Sequence, residues 1–363
     1  MPNTDRVTRA RAQMRSAGVD LLSLPPGDDM YYLLGFTPHA DERPCYLFLT
    51  GDDAVFLVPE LNAGEARGHV DLPFLTYSDA EGPGAVLREA HGRLGDPVRI
   101  CIGDTMRADF LLLLQERWTK SAFAPGAEVM APVRMIKTSE EIALMRRSAA
   151  TADIAVDAAL AACRPGVTEL AVTRAVANAF AEQAVAQPGP AIVGSGPNSA
   201  YPHHRSGSRS LREGEPVLVD LGGRLEGYMS DITRMGYIGE SSARYREAHA
   251  IVEHAVRAGM DAVRPGTPLS AVDRAARAVI ENAGYGRQFT HRTGHGIGLT
   301  GHEPPSVTHT NDLPMQEGMM FSIEPGIYLE GEFGVRLEEI VVVTARGAER
   351  LSMLPREVRV LPA

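Results

Sequence analysis

The feature that most constrains this chain is an internal repeat. "ACRPGVTELAVTRAVANAF" (162–180) aligns without gaps on "AVRPGTPLSAVDRAARAVI" (262–280), sharing Arg-Pro-Gly and then Ala-Val-x-Arg-Ala. Each copy reads as helix, Pro-Gly turn, helix. The likeness continues downstream, where "REGEPVLVDLGG" ends a strand on Asp220 and "QEGMMFSIEPGI" ends one on Glu324. A solenoid needs at least about three short repeats, so two long copies mean a pseudo-symmetric pair of halves. A carboxylate occupies the matching place in each half.

Both strands are followed by a return segment carrying another acid. Asp220 leads through "LGGRLEGYMS" to Asp231, and Glu324 leads through "PGIYLEGEFGVRL" to Glu338. Strand-like ends and interior glycines predict two antiparallel hairpins that set the acids of each pair across from one another. Packing the halves face to face then converges four carboxylates. Such a cluster is neutralised by protons or by cations, and a divalent metal is the economical solution. "HRTGHGIGLTGHEPP" (291–305) adds three histidines and four glycines. His291 and His295 have helical spacing, but each interior glycine costs a helix about 1 kcal/mol relative to alanine. The segment therefore reads as an extended, closely packed strand or loop, with one imidazole as ligand and the others around it.

Upstream, the first ~125 residues alternate helical and strand patterns, as an α/β domain does. "TDRVTRARAQMRSAG" and "ADFLLLLQERW" read as helices, "VDLLSLP" and "PVRICIGD" as strands, "MYYLLGF" as a short apolar element, and "CYLFLTGDDAVFLVP" as a hairpin turning at 51–53. Thr138 and Glu141 form a predicted capping box at the start of a long helix. The expected domains are 1–130 and 138–363. The longest aliphatic run, Leu111–Leu114, is too short to span a bilayer, and the polar N-terminus lacks the apolar segment of a secretory signal, so a cytoplasmic protein with no membrane role is expected. A formal charge of -10 without a basic stripe argues against nucleic acid as a partner. Cys45, Cys101 and Cys163 show no paired spacing and read as buried apolar filler.

The assembled residues resemble the pita-bread-fold metallopeptidases, which include Xaa-Pro dipeptidase (prolidase), aminopeptidase P and methionine aminopeptidase. "DLGGRLEGYMSDITR", "HRTGHGIGLTGHEPP", "SIEPGIY" and "GVRLEE" carry the resemblance in that order, and it covers essentially all of 138–345. The preceding α/β domain, with "MYYLLGF" and "IKTSEEIALMR", resembles the N-terminal domain shared by prolidase, aminopeptidase P and creatinase. The resemblance implies an α+β pita-bread catalytic domain with a pseudo-two-fold repeat and five metal ligands: Asp220, Asp231, His295, Glu324 and Glu338. Asp231 and Glu338 are implied to bridge two divalent ions, Asp220 to complete one ion's shell, and His295 with Glu324 the other's. The oxygen-rich ligand set favours Mn²⁺, with Co²⁺ or Zn²⁺ as alternatives.

Carried over in the same way, Glu324 is implied to move the proton, His203, His291 and His302 to face substrate and transition state, and Arg336, beside the bridging glutamate, to bind substrate. The expected activity is hydrolysis of Xaa-Pro bonds at peptide N-termini, in proline-containing dipeptides or short peptides. Aminopeptidase P acting on longer peptides is the alternative, ahead of a creatinase- or lyase-like relative or a non-catalytic binding protein. Relatives are often dimers, so a homodimer is expected. Two positions depart from the pattern. Glu339 stands where Asp or Asn is common, and Ser306 stands after "HEPP", where several prolidases carry an arginine that holds the dipeptide's carboxylate. Arg43, in the polar loop "TPHADERP", is the candidate replacement for that anchor.

Overall fold

A computed structural model describes residues 4–186 and 189–363. The chain divides into two compact units, 1–134 and 135–363. The first is α/β, with one mixed six-stranded sheet in the spatial order Phe74–Tyr77, Ala54–Pro59, Tyr46–Leu49, Leu21–Leu24, Arg99–Ile102, Ala122–Pro125. Unbroken apolar runs make Tyr46–Leu49 and Ala54–Pro59 interior strands buried on both faces. The turn between them closes where the Thr50 amide donates to Asp53 O (2.9 Å). "MYYLLGF" lies on the helix Asp28–Leu34 and its exit, where Gly35 takes a left-handed φ of 70° that ends the helix.

The second unit shows the repeat in three dimensions. Ser139–Ala162 and Glu169–Glu182 are the helices of the first half, and Ala243–Asp261 and Leu269–Asn282 those of the second. Thr138 and Glu141 form the expected capping box, each accepting from the other's backbone N–H. Gly166 and Gly266 adopt nearly identical left-handed φ values of 85° and 83°. The tie that follows each is also shared. Gly166 N donates to Leu211 O and Leu211 N returns a bond to Val167 O; Gly266 and Met315 repeat the exchange with Thr267.

Each helix pair covers a sheet. The first-half sheet runs Arg359–Leu361, Ile232–Ile238, Pro216–Leu221, Ile192–Ser195, and the second-half sheet runs Glu303–Val307, Gly294–Gly296, Met320–Ile323, Glu339–Thr344, Gly347–Arg350. Val156, Leu160, Val172, Val176 and Phe180 pack on the first, and Val252, Val256, Val272, Ile280 and Phe321 fill the second core. Each such side chain, fully buried, contributes roughly 1.5–3 kcal/mol. The α+β pita-bread architecture implied by the resemblance, with its two pseudo-symmetric halves, is the one observed. No helix among the described residues is long and apolar enough to cross a membrane. Cys45, Cys101 and Cys163 are buried and free.

Candidate metal centre

The acids reach the site by related routes that differ in register. In the second half Ile323 pairs with Glu339, which sets Glu324 beside Glu338. In the first half Asp220 pairs with Thr233, so Asp231 sits diagonally beyond it and not directly across as expected. The reason lies in the turn. Past Leu221 the strands part around Gly222, whose absent Cβ would fall 2.2 Å from Ser230 O, and a separate small ribbon (Arg224–Leu225 with Tyr228–Met229) completes the return.

The glycine-rich segment is a strand and not a helix. Gly294–Gly296 lies between Glu303–Val307 and Met320–Ile323. A Cβ on Gly294 would approach Ser322 O to 1.8 Å, so only glycine lets this backbone lie so close. The neighbouring strand then orients the ligand groups. Ser322 Oγ accepts from the His295 amide (2.9 Å) and donates to Glu324 Oε1 (2.9 Å). His295 Nδ1–H donates to Gly296 O (3.0 Å), which turns Nε2 towards Glu324 Oε1 (3.2 Å) and Asp231 Oδ2 (3.8 Å), where it carries a proton that an ion would displace.

The halves meet in an open cavity of ≈ 630 Å³. Its lining includes Asp220, Asp231, His295, Glu324, Glu338, His203, His291, His302 and Arg336. Donor atoms of Asp220, Asp231 and Glu338 lie within 4.8 Å of one another, as do those of His295, Glu324 and Glu338, and of Asp231, His295 and His302. Glu338 is common to the first two trios. Arg43 lies in the first unit, where Asp79 (2.8 and 3.1 Å) and Asp41 (2.9 Å) hold its guanidinium.

Electrostatics shows what this cluster needs. Burial, and then neighbouring Asp220, push Asp231 up to about 8, and burial with Asp231 and Glu324 raises Glu338 well above the carboxylate range. Glu324 instead is held down to about 2 despite burial, by His295 and Arg336. Glu338 Oε2 accepts from Thr233 Oγ1 (3.0 Å), but its buried Oε1 has no hydrogen-bond partner. Such an unpaired buried oxygen costs about 1–3 kcal/mol or more. Four carboxylates, one of them with an orphaned oxygen, and an imidazole nitrogen turned towards two of them fit divalent cations. The donor chemistry suits hard or borderline ions.

Sequence reasoning missed several residues that build this site. Tyr328 Oη accepts from Arg336 (2.9 Å) and bonds His291 Nε2 (2.9 Å), while His291 Nδ1 donates to Arg292 O. Arg336, expected to face substrate, also binds Asp220 and Thr233 Oγ1 (3.2 Å), so protein partners hold its guanidinium within the cavity wall. Glu169, fully buried, accepts from the Ser195 amide, Ser195 Oγ, Asn198 Nδ2, His204 Nε2 and the Gly207 amide, bracing the segment that carries His203. Tyr328 stands inside the "SIEPGIY" motif, which was its one visible signal. Glu169 had none.

Comparison with known proteins agrees with this geometry. Residues 143–345 match metallopeptidase family M24, and residues 6–136 match the creatinase/prolidase N-terminal domain. The chain belongs to metallopeptidase family M24. Over 98% of its length it is 37% identical to a probable dipeptidase PepE of Mycobacterium tuberculosis, covering 96% of that protein. It is 34% identical to an Xaa-Pro dipeptidase of Lactobacillus delbrueckii subsp. lactis, with 96% of this chain and 97% of the relative aligned. Among solved structures, a dipeptidase from Pyrococcus horikoshii superposes with TM-score 0.93 at 36% identity (98% and 100% of the chains), and a prolidase from Thermococcus sibiricus with 0.94 at 31% (99% and 100%). This M24 enzyme is therefore a peptidase that depends on divalent metal ions.

Proposed function

We propose that this M24 enzyme hydrolyses the Xaa-Pro bond of dipeptides, with Asp220, Asp231, His295, Glu324 and Glu338 holding two divalent ions, manganese first among them. One observation carries the reading. In a chain alike over nearly its whole length to proteins named Xaa-Pro dipeptidase, those five side chains line one cavity together with three further histidines. When bound, the ions would lower the pKa of a water and polarise the scissile carbonyl.

The protein's own groups supply the rest. Glu324, kept ionised by His295 and Arg336, is the proton acceptor and returns the proton to the leaving imide nitrogen. His302 stands edge-on to His295 with ring centroids 3.9 Å apart. Although one side of His302 is open to solvent, desolvation, with His295 and Arg292 adding, pushes it down to about 4, so it is neutral and donates to the developing oxyanion from one ring nitrogen. His203 serves beside it. His291 has both nitrogens engaged and acts through Tyr328. The proline nitrogen of the scissile bond lacks N–H, so recognition rests on the free α-amine, drawn to the acidic wall, and on the far end of the substrate. Arg43 in substrate binding, a homodimer and a cytoplasmic location belong to the same reading. The buried free thiols suit a reducing compartment.

The test is a panel of Xaa-Pro dipeptides and Xaa-Pro-Ala tripeptides, assayed for released proline or peptide after chelation and after adding back Mn²⁺, Co²⁺ or Zn²⁺. Dipeptide cleavage that vanishes with chelator and returns with Mn²⁺ is expected. Preference for the tripeptides would assign the aminopeptidase P activity instead, and no cleavage with any ion would remove the proposal.

A further inference from the structure

The cavity has a strongly acidic wall, yet a dipeptide also carries a carboxylate that such a wall repels. A cation must meet that carboxylate, and one lines the cavity. Arg292 is half-buried, and among the described residues its guanidinium has no carboxylate partner. Its one side-chain partner there is a neutral hydroxyl, Ser306 Oγ, reached by Nη1 at 3.0 Å.

The position of that hydroxyl follows from the sheet. Ser306 pairs directly with His295, so both side chains rise from the same face, with Cβ atoms about 4.5–5.5 Å apart. His295 points at the acids that would hold the ions. The guanidinium seated on Ser306 therefore stands beside the strand that carries His295 and lines the same cavity as the acids. A larger side chain at 306 would occupy this ground. Asn311 Nδ2 donates to the Ser306 backbone carbonyl (2.7 Å), which anchors the strand at the residue whose hydroxyl meets the arginine. Arg336 cannot serve, being bound to Asp220, Tyr328 and Thr233.

We propose that Arg292, seated on Ser306, binds the substrate's free C-terminal carboxylate and so sets the preference for dipeptides. This rests on the Xaa-Pro reading above. A planar guanidinium offers a carboxylate two parallel N–H donors, and an amide or a further residue at that end forfeits the ion pair.

The experiment compares the Mn²⁺-loaded wild type with Arg292→Ala, Arg292→Lys and Arg43→Ala on Ala-Pro, Ala-Pro-amide and Ala-Pro-Ala, with thermal melts to confirm folding. Wild type is expected to prefer Ala-Pro over its amide. In Arg292→Ala the acid-to-amide ratio of kcat/KM should fall ~10–100-fold, mainly through KM, as loss of a charge-assisted pair implies. Arg292→Lys should recover part of the ratio. A calorimetric titration gives an independent readout: L-proline should bind more weakly to Arg292→Ala than to wild type, with L-prolinamide little changed. An unchanged ratio in folded Arg292→Ala, or a collapse only in Arg43→Ala, would overturn the assignment and leave the Xaa-Pro reading standing. Failure of wild type to cleave any of the three substrates would overturn both.

Discussion

The two halves of the second unit share a skeleton and divide the chemistry unequally. Both turn on a left-handed glycine after Arg-Pro, and both end a central strand at an acid. Both also send a buried carboxylate from their second helix to the segment that presents a histidine. In the first half it is Glu169, which braces the stretch bearing His203; in the second it is Asp273, which accepts from Thr293 Oγ1 (2.7 Å), two residues before His295, and pairs with Arg277 (3.0 Å). Yet Glu169 aligns with Leu269, and Asp273 with Thr173. The braces sit four residues, about one helical turn, apart along equivalent helices. The same mechanical need was therefore met from different positions, while His295, the imidazole proposed as a ligand, comes from the second half. The two copies share a frame, and the site is built from positions at which they differ.

The largest test of this asymmetry removes donors. Glu338→Ala, which strikes the residue common to the Asp220 and Glu324 trios, is expected to lower kcat/KM by more than ~100-fold, beyond what loss of an outer partner does, and to empty the site by elemental analysis. Asp220→Ala leaves His295, Glu324 and Glu338 together and is expected to retain about one ion per chain. Equal metal loss in the two variants would erase the distinction between the halves.

A smaller effect probes the brace. Glu169→Gln turns an amide NH₂ towards groups that themselves donate, and should cost about 1–3 kcal/mol in urea unfolding at neutral pH. Burial raises the Glu169 pKa, but hydrogen bonds from His204, Ser195 and Asn198 outweigh it, so the net shift is downward. A depressed carboxylate contributes its stability above the unfolded value near ~4.3 and loses it as pH falls through the folded value. The gap between wild type and variant should thus narrow below about pH 4. A gap indifferent to pH would show that the carboxylate's charge is not what holds the segment.

The smallest concerns the helix starts. Thr168 caps the first-half helix by accepting from the Ala171 amide (3.2 Å), whereas Pro268 at the matching position makes no side-chain cap. Thr168→Ala should lose about 1 kcal/mol. Pro268→Ala should lose less by the same melting assay, and equal losses would mean that the hydroxyl contributes nothing.

Arg-Pro-Gly, twice, announced the paired halves, because a turn that requires a left-handed residue leaves a mark on local sequence. The glycines at 294 and 296 likewise announced close packing, and the acid at the end of each strand was legible from the alignment of the copies. Tyr328, Arg292 and Glu169 were not legible as parts of the site. Each acts on a residue between 14 and 37 positions away, at Ser306 for Arg292, at His291 for Tyr328 and at His204 for Glu169, and no periodicity joins such pairs.

What the sequence determined by itself was the frame: two copies of a helix, turn and helix, the acids that follow them, and a strand too rich in glycine to be anything but tightly packed. Local backbone preference and side-chain patterning suffice for that. Only the tertiary structure decided that Asp231 lies diagonal to Asp220, that Glu338 keeps one oxygen without a partner, and that Arg292 rests on a hydroxyl and not on an acid. Those are outcomes of register and of the approach of distant strands, and they depend on which chain segments share space, which local propensity does not specify.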